Sequence, residues 1–269
     1  MMAISEKELI EILQQSEINC SKEEFEYWKM YHEFMMSNYG DAYINSPYFQ
    51  KELEAIGEFI EPKKGERWLD LGCGALPVSR LILDREPNVD LWAGDIILLT
   101  AKEKLKKMGN PPVKLVRLDL TKALLFEGNF FDGIVASKVL PYIPESQGKE
   151  GKEGLREIFR EVFRILKPGG VLVWSGSIKD VSRLKGTLLA LGYIFNVYQW
   201  IKQRCFLPMF AVKVNKVFKP VVEKIKKGIY PVFSVKEYED LLNSVGFVNQ
   251  EWKLTFGNQV LVNKSVKPV

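Results

Sequence analysis

Between residues 67 and 174 the chain alternates short apolar runs with amphipathic stretches, and this alternation narrows its fold more than any other feature. Arg67-Trp-Leu-Asp-Leu71, Val89-Asp-Leu-Trp-Ala93, Val113 to Leu118, Phe131-Asp-Gly-Ile-Val-Ala136 and Val171-Leu-Val-Trp174 have the length and composition of strands. Helical spacing separates them, most clearly where Leu155, Ile158, Phe159, Val162, Phe163 and Leu166 fall on one stripe. Strands that alternate with helices form βαβ units, so the expected class is α/β, with a parallel sheet covered on both faces.

Helices are expected over residues 5–60, where Ser5-Glu-Lys-Glu8 and Ser21-Lys-Glu-Glu24 both fit the capping box and Phe25, Trp28, His32 and Met35 share a face. The alternation breaks after the fifth strand. Residues 178–230 are basic and rich in Leu, Val, Phe and Tyr. Regular structure resumes at Ser234-Val-Lys-Glu237, another capping box, with Gly246 placed to cap the helix end. Phe247 to Leu254 and Gln259 to Asn263 read as strands joined by a Gly-Asn turn.

Composition excludes several function classes. The 269 residues contain only three cysteines, with no CxxC spacing, so a disulfide framework and zinc or iron–sulfur sites are not expected, and no metal site is assigned. The N-terminus lacks the basic-then-apolar pattern of a signal peptide, and a reducing cytoplasm is the expected location. The longest uncharged run, Gly186 to Ile201, is 16 residues and falls short of the roughly 20 apolar residues of a spanning helix. The net charge of +4 conceals an asymmetry: residues 1–66 carry −8 and residues 178–230 carry +9. Such a distribution bears on partners rather than on fold.

The chemistry is concentrated in Trp68-Leu-Asp-Leu-Gly-Cys-Gly-Ala-Leu-Pro77. A glycine turn from strand to helix lets a ligand approach the backbone, and in an open α/β sheet ligands bind at the carboxyl ends of the strands. Asp95 ends the second strand, 21 residues after Gly74, where a carboxylate can accept from both ribose hydroxyls. Asp119 ends the third, where it can accept from an adenine amine. Two nucleotide readings compete. A dinucleotide fingerprint needs a third glycine where Pro77 stands, and it has no use for Asp70, which would repel a pyrophosphate. Asp70 suits a positive centre, an amino group or a sulfonium, which favours S-adenosylmethionine over NAD.

With Leu69-Asp-Leu-Gly-Cys-Gly74, Gly94-Asp-Ile96, Leu118-Asp-Leu120, Phe131-Asp-Gly-Ile-Val135, Leu166-Lys-Pro-Gly-Gly170 and Leu242 through Gly246-Phe247 in order, the chain resembles the class I S-adenosylmethionine-dependent methyltransferases. The resemblance covers roughly residues 65–177 and 232–264. It implies a Rossmann-like, doubly wound sheet of seven mainly parallel strands, with the last strand antiparallel, an N-terminal helical lid and a helical insertion after strand 5. The implied domains are a lid over residues 1–64, a core over 65–177 and 231–269, and an acceptor cap over 178–230. It implies that Asp70, Gly72 and Gly74 line the methionine end, with Cys73 in the same loop. Asp95 with Ile96 then meets the ribose, Asp119 and Leu120 flank the adenine, and Ser137 faces the sulfonium. The product would be S-adenosylhomocysteine. The family usually has a third glycine at Leu76, so a stiffer loop is expected here.

His32, the chain's one histidine, is the candidate general base, and Tyr142 in Leu140-Pro-Tyr-Ile143 is the candidate pocket residue. In-line methyl transfer needs little beyond alignment and exclusion of water. The basic, apolar 178–230 segment suits an interface with anionic headgroups, so the expected acceptor is small and amphipathic or lipid-like, with peripheral membrane contact through this segment. The resemblance to quinone-biosynthesis methyltransferases is general, and those do not typically carry so long an insertion. Two alternatives stay open: an RNA or protein acceptor held by the basic segment, and a non-catalytic S-adenosylmethionine-binding protein. Nucleic acid is disfavoured because the Asn/Asp-Pro-Pro-Tyr signature is missing after the fourth strand. The oligomeric state is not legible.

Overall fold

The computed structural model describes residues 22–143, 145–179, 207–255 and 257–269. Three helices come first: α1 (Lys22–Met35), α2 (Asn38–Ile44) and α3 (Pro47–Phe59). The alternation follows as β1 (Arg67–Leu71), α4 (Pro77–Arg85), β2 (Asp90–Asp95), α5 (Leu99–Lys107), β3 (Val113–Arg117) and β4 (Phe131–Ser137). A short hairpin, β5 (Glu145–Ser146) and β6 (Lys149–Glu150), leads into α6 (Gly151–Ile165) and β7 (Leu166–Ser177). The chain ends with α7 (Leu207–Lys226), α8 (Val235–Val245), β8 (Val248–Thr255) and β9 (Val260–Val266). The capping box at Ser5 and the uncharged run from Gly186 lie outside the described residues, as does Ser21.

The main sheet has seven strands in the order β3-β2-β1-β4-β7-β9-β8. β1, β2, β3, β4 and β7 run parallel, and β9 runs antiparallel to both β7 and β8. This is the sheet the resemblance implies. The strand order reverses between β1 and β4, which places the crevice of an open α/β sheet at the carboxyl end of β1. Two details differ from the sequence reading. The stretch Ser146 to Gly154, whose run of Gly, Lys and Glu reads as a loop, forms the β5–β6 hairpin and the first turn of α6, with Gln147 and Gly148 both at positive φ in the turn. β7 also begins early, at Leu166, because Leu166 already pairs with Phe131 ahead of the proline and glycines.

Helices cover both faces. One core layer gathers Leu155, Ile158, Phe159 and Val162 of α6 with Trp174, Tyr238 and Leu242. The other sets Ile56 and Phe59 of α3 and Val78 and Ile82 of α4 against Trp68 and Val173. At α8 both arms of the capping box form, Ser234 Oγ accepting from Glu237 N at 3.3 Å and Glu237 Oε2 accepting from Ser234 N at 2.8 Å.

The Phe131-Asp-Gly-Ile-Val pattern has a packing cause. Gly133 pairs directly with Trp68 across β4 and β1, and a Cβ on Gly133 would sit 2.6 Å from the indole. Trp68 is 2% exposed and cannot swing out. Gly133→Ala is therefore expected to destabilise the chain by about 1–3 kcal/mol through overpacking, read as a lower urea midpoint. A midpoint equal to that of the parent would refute this packing account.

Candidate functional site

The turn after β1 concentrates left-handed backbone: Gly72 has φ 77°, Gly74 φ 48° and Leu76 φ 65°. Gly72 is required twice over. Its φ disfavours any side chain, and a Cβ there would approach Val139 Cγ2 to 2.6 Å. The turn is tied down by the backbone N–H groups of Gly72 and Cys73, which donate to the carbonyl of Gly94 at 2.7 and 3.0 Å. Leu76, where a glycine was expected, keeps the glycine conformation. It is the residue before Pro77, the first residue of α4, and its side chain is 1% exposed among Cys73, Ala93 and Ala101. The left-handed conformation costs a non-glycine residue about 1–2 kcal/mol, and burying a leucine returns about 1.5–3 kcal/mol. Leucine is thus tolerated because it fills a void that glycine would leave.

Two carboxylates brace the loop, Asp70 buried and Asp95 half-buried. Asp70 Oδ2 accepts from the backbone N and the hydroxyl of Ser79, at 2.9 and 2.6 Å, which satisfies a free donor in the first turn of α4. Burial pushes the Asp70 carboxyl up to about 7, against the pull of both Ser79 hydrogen bonds. Asp95 Oδ2 accepts from Gly74 N at 2.8 Å and its Oδ1 from Ile97 N at 3.3 Å. Burial raises it too. Cys73 is buried beside both acids, and burial holds its thiol well above its usual range. The carbonyl of Ile96 accepts from Arg117 Nε at 3.0 Å.

Asp119 and Leu120 follow β3, one strand further out. Asp119 Oδ1 accepts from the backbone N and hydroxyl of Thr121 at 3.0 and 2.6 Å, and Leu120 is half-buried. Ser137 closes β4, and its hydroxyl donates to Glu52 Oε1 at 2.7 Å. The residues assigned to the cofactor therefore all fall at the carboxyl ends of β1 to β4. The two candidate catalytic residues are held by different elements. His32 on α1 meets α5, with Nδ1 2.9 Å from Thr100 Oγ1 and Nε2 3.9 Å from Glu103. Burial lowers its pKa, opposed by Glu103 and Glu33. Tyr142 lies against the end of β7, its hydroxyl 2.7 Å from Ser177 Oγ.

Other residues also stand at this end of the sheet. Tyr31 of α1 leans over the glycine turn, its hydroxyl 3.1 Å from where a Cβ on Gly74 would stand. Ala75 of the turn packs in one cluster with Phe34 and Met35 of α1 and Val217 of α7. Glu52 of α3 is fully buried and also accepts from Ser175 Oγ at 2.5 Å. A signal for Glu52 was present: it occupies the buried stripe of α3 together with Phe49, Ile56 and Phe59.

Residues 69–174 match the family model described as "Methyltransferase domain". The curated relative "Putative methyltransferase YqeM" of Bacillus subtilis (strain 168) is 25% identical over 232 residues, covering 81% of this chain and 87% of that protein. A chain in the solved complex between the Haloferax volcanii Trm112 methyltransferase activator and "the putative methyltransferase" superposes with a TM-score of 0.58 at 12% identity, covering 89% of this chain and 98% of that one. Haemonchus contortus phosphoethanolamine N-methyltransferase 2, solved with S-adenosyl-L-methionine, gives a TM-score of 0.57 at 15% identity over 89% of this chain and 60% of that one. The matched domain, the strand order and the glycine turn agree: residues 69–174 form a methyltransferase domain with the class I, S-adenosylmethionine-dependent fold.

Proposed function

We propose that the methyl acceptor is a small hydrophobic or lipid-like molecule, taken up beneath a lid to which the N-terminal helices and α7 contribute. The observation that carries this reading is the placement of α7. Its Val217 is buried against Phe34, Met35 and Ala75, and Phe218 packs 5.0 Å from the Tyr43 ring. Its outward surface carries Met209, Val212 and Val222, 44%, 62% and 46% exposed, alongside exposed Lys216, Lys219 and Lys226. Apolar side chains interleaved with lysines on one helix face suit an anionic membrane surface. Among the described residues no helix is long and apolar enough to cross a membrane.

The loop residues fit the cofactor. Gly72 and Gly74 let Val139 and Tyr31 close on the turn, and buried Asp70 and half-buried Asp95 stand beside it. In this reading Asp70, Gly72, Cys73 and Gly74 hold the methionine end. Asp95 and Ile96 hold the ribose, Asp119 and Leu120 flank the adenine, and Ser137 lies nearest the sulfonium. The cofactor supplies an electrophilic methyl group. The chain's own residues bind, orient and exclude water, which is where most of the acceleration of such a displacement arises. His32, engaged with Thr100 and Glu103, serves here to seat α1 on α5 over the loop, and Tyr142 lines the acceptor side.

Two measurements test this reading. A cationic ligand centre beside Asp70 favours its ionised form. With Asp70 at about 7 in the free protein, S-adenosylmethionine binding at pH 6 should release up to about one proton, falling toward zero by pH 8. Calorimetry in buffers of different ionisation enthalpy reads this directly, and Asp70→Asn should abolish the pH difference. Binding without proton release at pH 6 would contradict the placement of the positive centre. Second, the full chain should co-sediment with anionic phosphatidylserine vesicles in a salt-sensitive way. Replacing Lys216, Lys219 and Lys226 with Gln should weaken this about 100-fold, at about 1 kcal/mol per lysine lost near the surface. Equal sedimentation with neutral vesicles, or none with either, rejects the membrane face. A gel shift with total RNA would point to the macromolecular alternative.

A further inference from the structure

The backbone donors of the glycine turn are mostly engaged within the protein. The N–H groups of Gly72 and Cys73 go to the Gly94 carbonyl, that of Gly74 to Asp95 Oδ2 and that of Leu76 to the Cys73 carbonyl. Ser79, in the first turn of α4, gives both its N–H and its hydroxyl to Asp70. The side chains that brace the turn are acids, which accept and do not donate when ionised. The amino-acid end of the cofactor brings an ammonium and a carboxylate together. Asp70 and Asp95 suit the first and repel the second. The carboxylate therefore needs a donor from another element, because a charge taken out of water must be paired or hydrogen-bonded.

Tyr31 of α1 is placed to be that donor. Its hydroxyl stands 3.1 Å from the position a Cβ on Gly74 would take, against the turn itself. Its ring meets Trp28 edge-on at 6.0 Å between centroids and packs on the cluster of Phe34, Met35, Ala75 and Val217. Apolar contacts thus fix the ring, while among the described residues none accepts a hydrogen bond from the hydroxyl at its tip. A tyrosine packed in this way ordinarily has a partner for its O–H. Burial and the negative charge of Asp95 hold the phenol protonated, so it stays a donor. Solvent reaches this point of the crevice: Tyr31, Gly72, Gly74 and Asp95 are each only half-buried.

We propose that Tyr31 donates a hydrogen bond to the carboxylate at the methionine end of the bound cofactor, and so ties the N-terminal lid to the occupied loop. This rests on the placement of the methionine end given above, and it names the donor that the loop itself does not provide. The two charges of the amino-acid end are then divided between two elements, the ammonium to the acids of the loop and the carboxylate to the phenol of α1. S-adenosylhomocysteine carries the same amino-acid end, so cofactor and product are held alike by this bond.

The test compares S-adenosylmethionine with decarboxylated S-adenosylmethionine, which keeps the sulfonium and the ammonium and lacks the carboxylate. Calorimetry with the full chain reads both ligands. Tyr31→Phe keeps the ring and its packing and removes the hydroxyl. It should weaken S-adenosylmethionine about 10- to 100-fold, the range of a hydrogen bond to a charged group, and leave the decarboxylated form unchanged. The comparison is a cycle in which the hydroxyl and the carboxylate are removed singly and together, so a loss of packing alone cannot produce that result. Equal losses for both ligands make Tyr31 a packing residue, and an unchanged affinity for S-adenosylmethionine leaves the carboxylate to another donor; either overturns the proposal. Proton release on binding at pH 6 separates the two levels. Release without this selectivity sinks the present inference alone, and absence of both sinks it together with the placement of the methionine end.

Discussion

Everything at the carboxyl edge of the sheet depends on a single constraint, the tight turn between β1 and α4. Gly72, Gly74 and Leu76 all carry positive φ, and such a backbone stays folded only if its polar groups are taken up. They are. Gly94 accepts from two N–H groups, Asp95 from Gly74, and Asp70 from the first turn of α4. The same two carboxylates that brace the turn are the groups assigned to the cofactor. Their burial, which raises both pKa values, keeps them ready to respond to a ligand that brings positive charge or hydroxyl donors.

The N-terminal helices complete this edge rather than decorate it. α1 brings Tyr31 over Gly74 and His32 onto Thr100. α3 inserts Glu52 between the ends of β4 and β7, where it gathers two serine hydroxyls and Lys138. A carboxylate that is 0% exposed is costly unless its lone pairs are filled. Both strand ends supply partners: Ser137 from β4, Ser175 from β7. The result couples the position of α3 to the conformation of Lys138.

The sheet, its parallel strands and the final hairpin were legible because each rests on local pattern: period-two strands, capped amphipathic helices and a Gly-Asn turn. Gly133 shows the limit of that reading. The sequence marks it as part of a motif, but its reason is the Trp68 ring on a neighbouring strand. Leu76 shows it again: a missing glycine suggests a stiffer loop, yet the backbone keeps glycine's conformation because burial of the side chain outweighs the strain. Asp70, Asp95 and Asp119 stood out because a strand-end acid is conspicuous. Glu52 and Lys138 did not, since a glutamate in a helix and a lysine after a strand ordinarily face water. Only the three-dimensional meeting of α3 with β4 and β7 makes them a buried pair.

That meeting also resolves what opposite charge on two segments does here. The acidic N-terminal arm does not pair with the basic segment among the described residues. Asp41 meets Lys104, Glu52 meets Lys138 and Glu58 meets Lys253, all lysines of the sheet, its helices or its loops. α7 instead joins α1 and α2 through Val214, Val217 and Phe218 against Phe34, Tyr39 and Tyr43. Apolar packing fixes the two segments to each other, and this leaves the lysines of α7 with little acid nearby; Lys219 meets only Glu223 of its own helix, at 3.8 Å. Of these acids Glu52 is buried and Asp41 and Glu58 pair at the surface, whereas Lys216, Lys219 and Lys226 of α7 are left exposed.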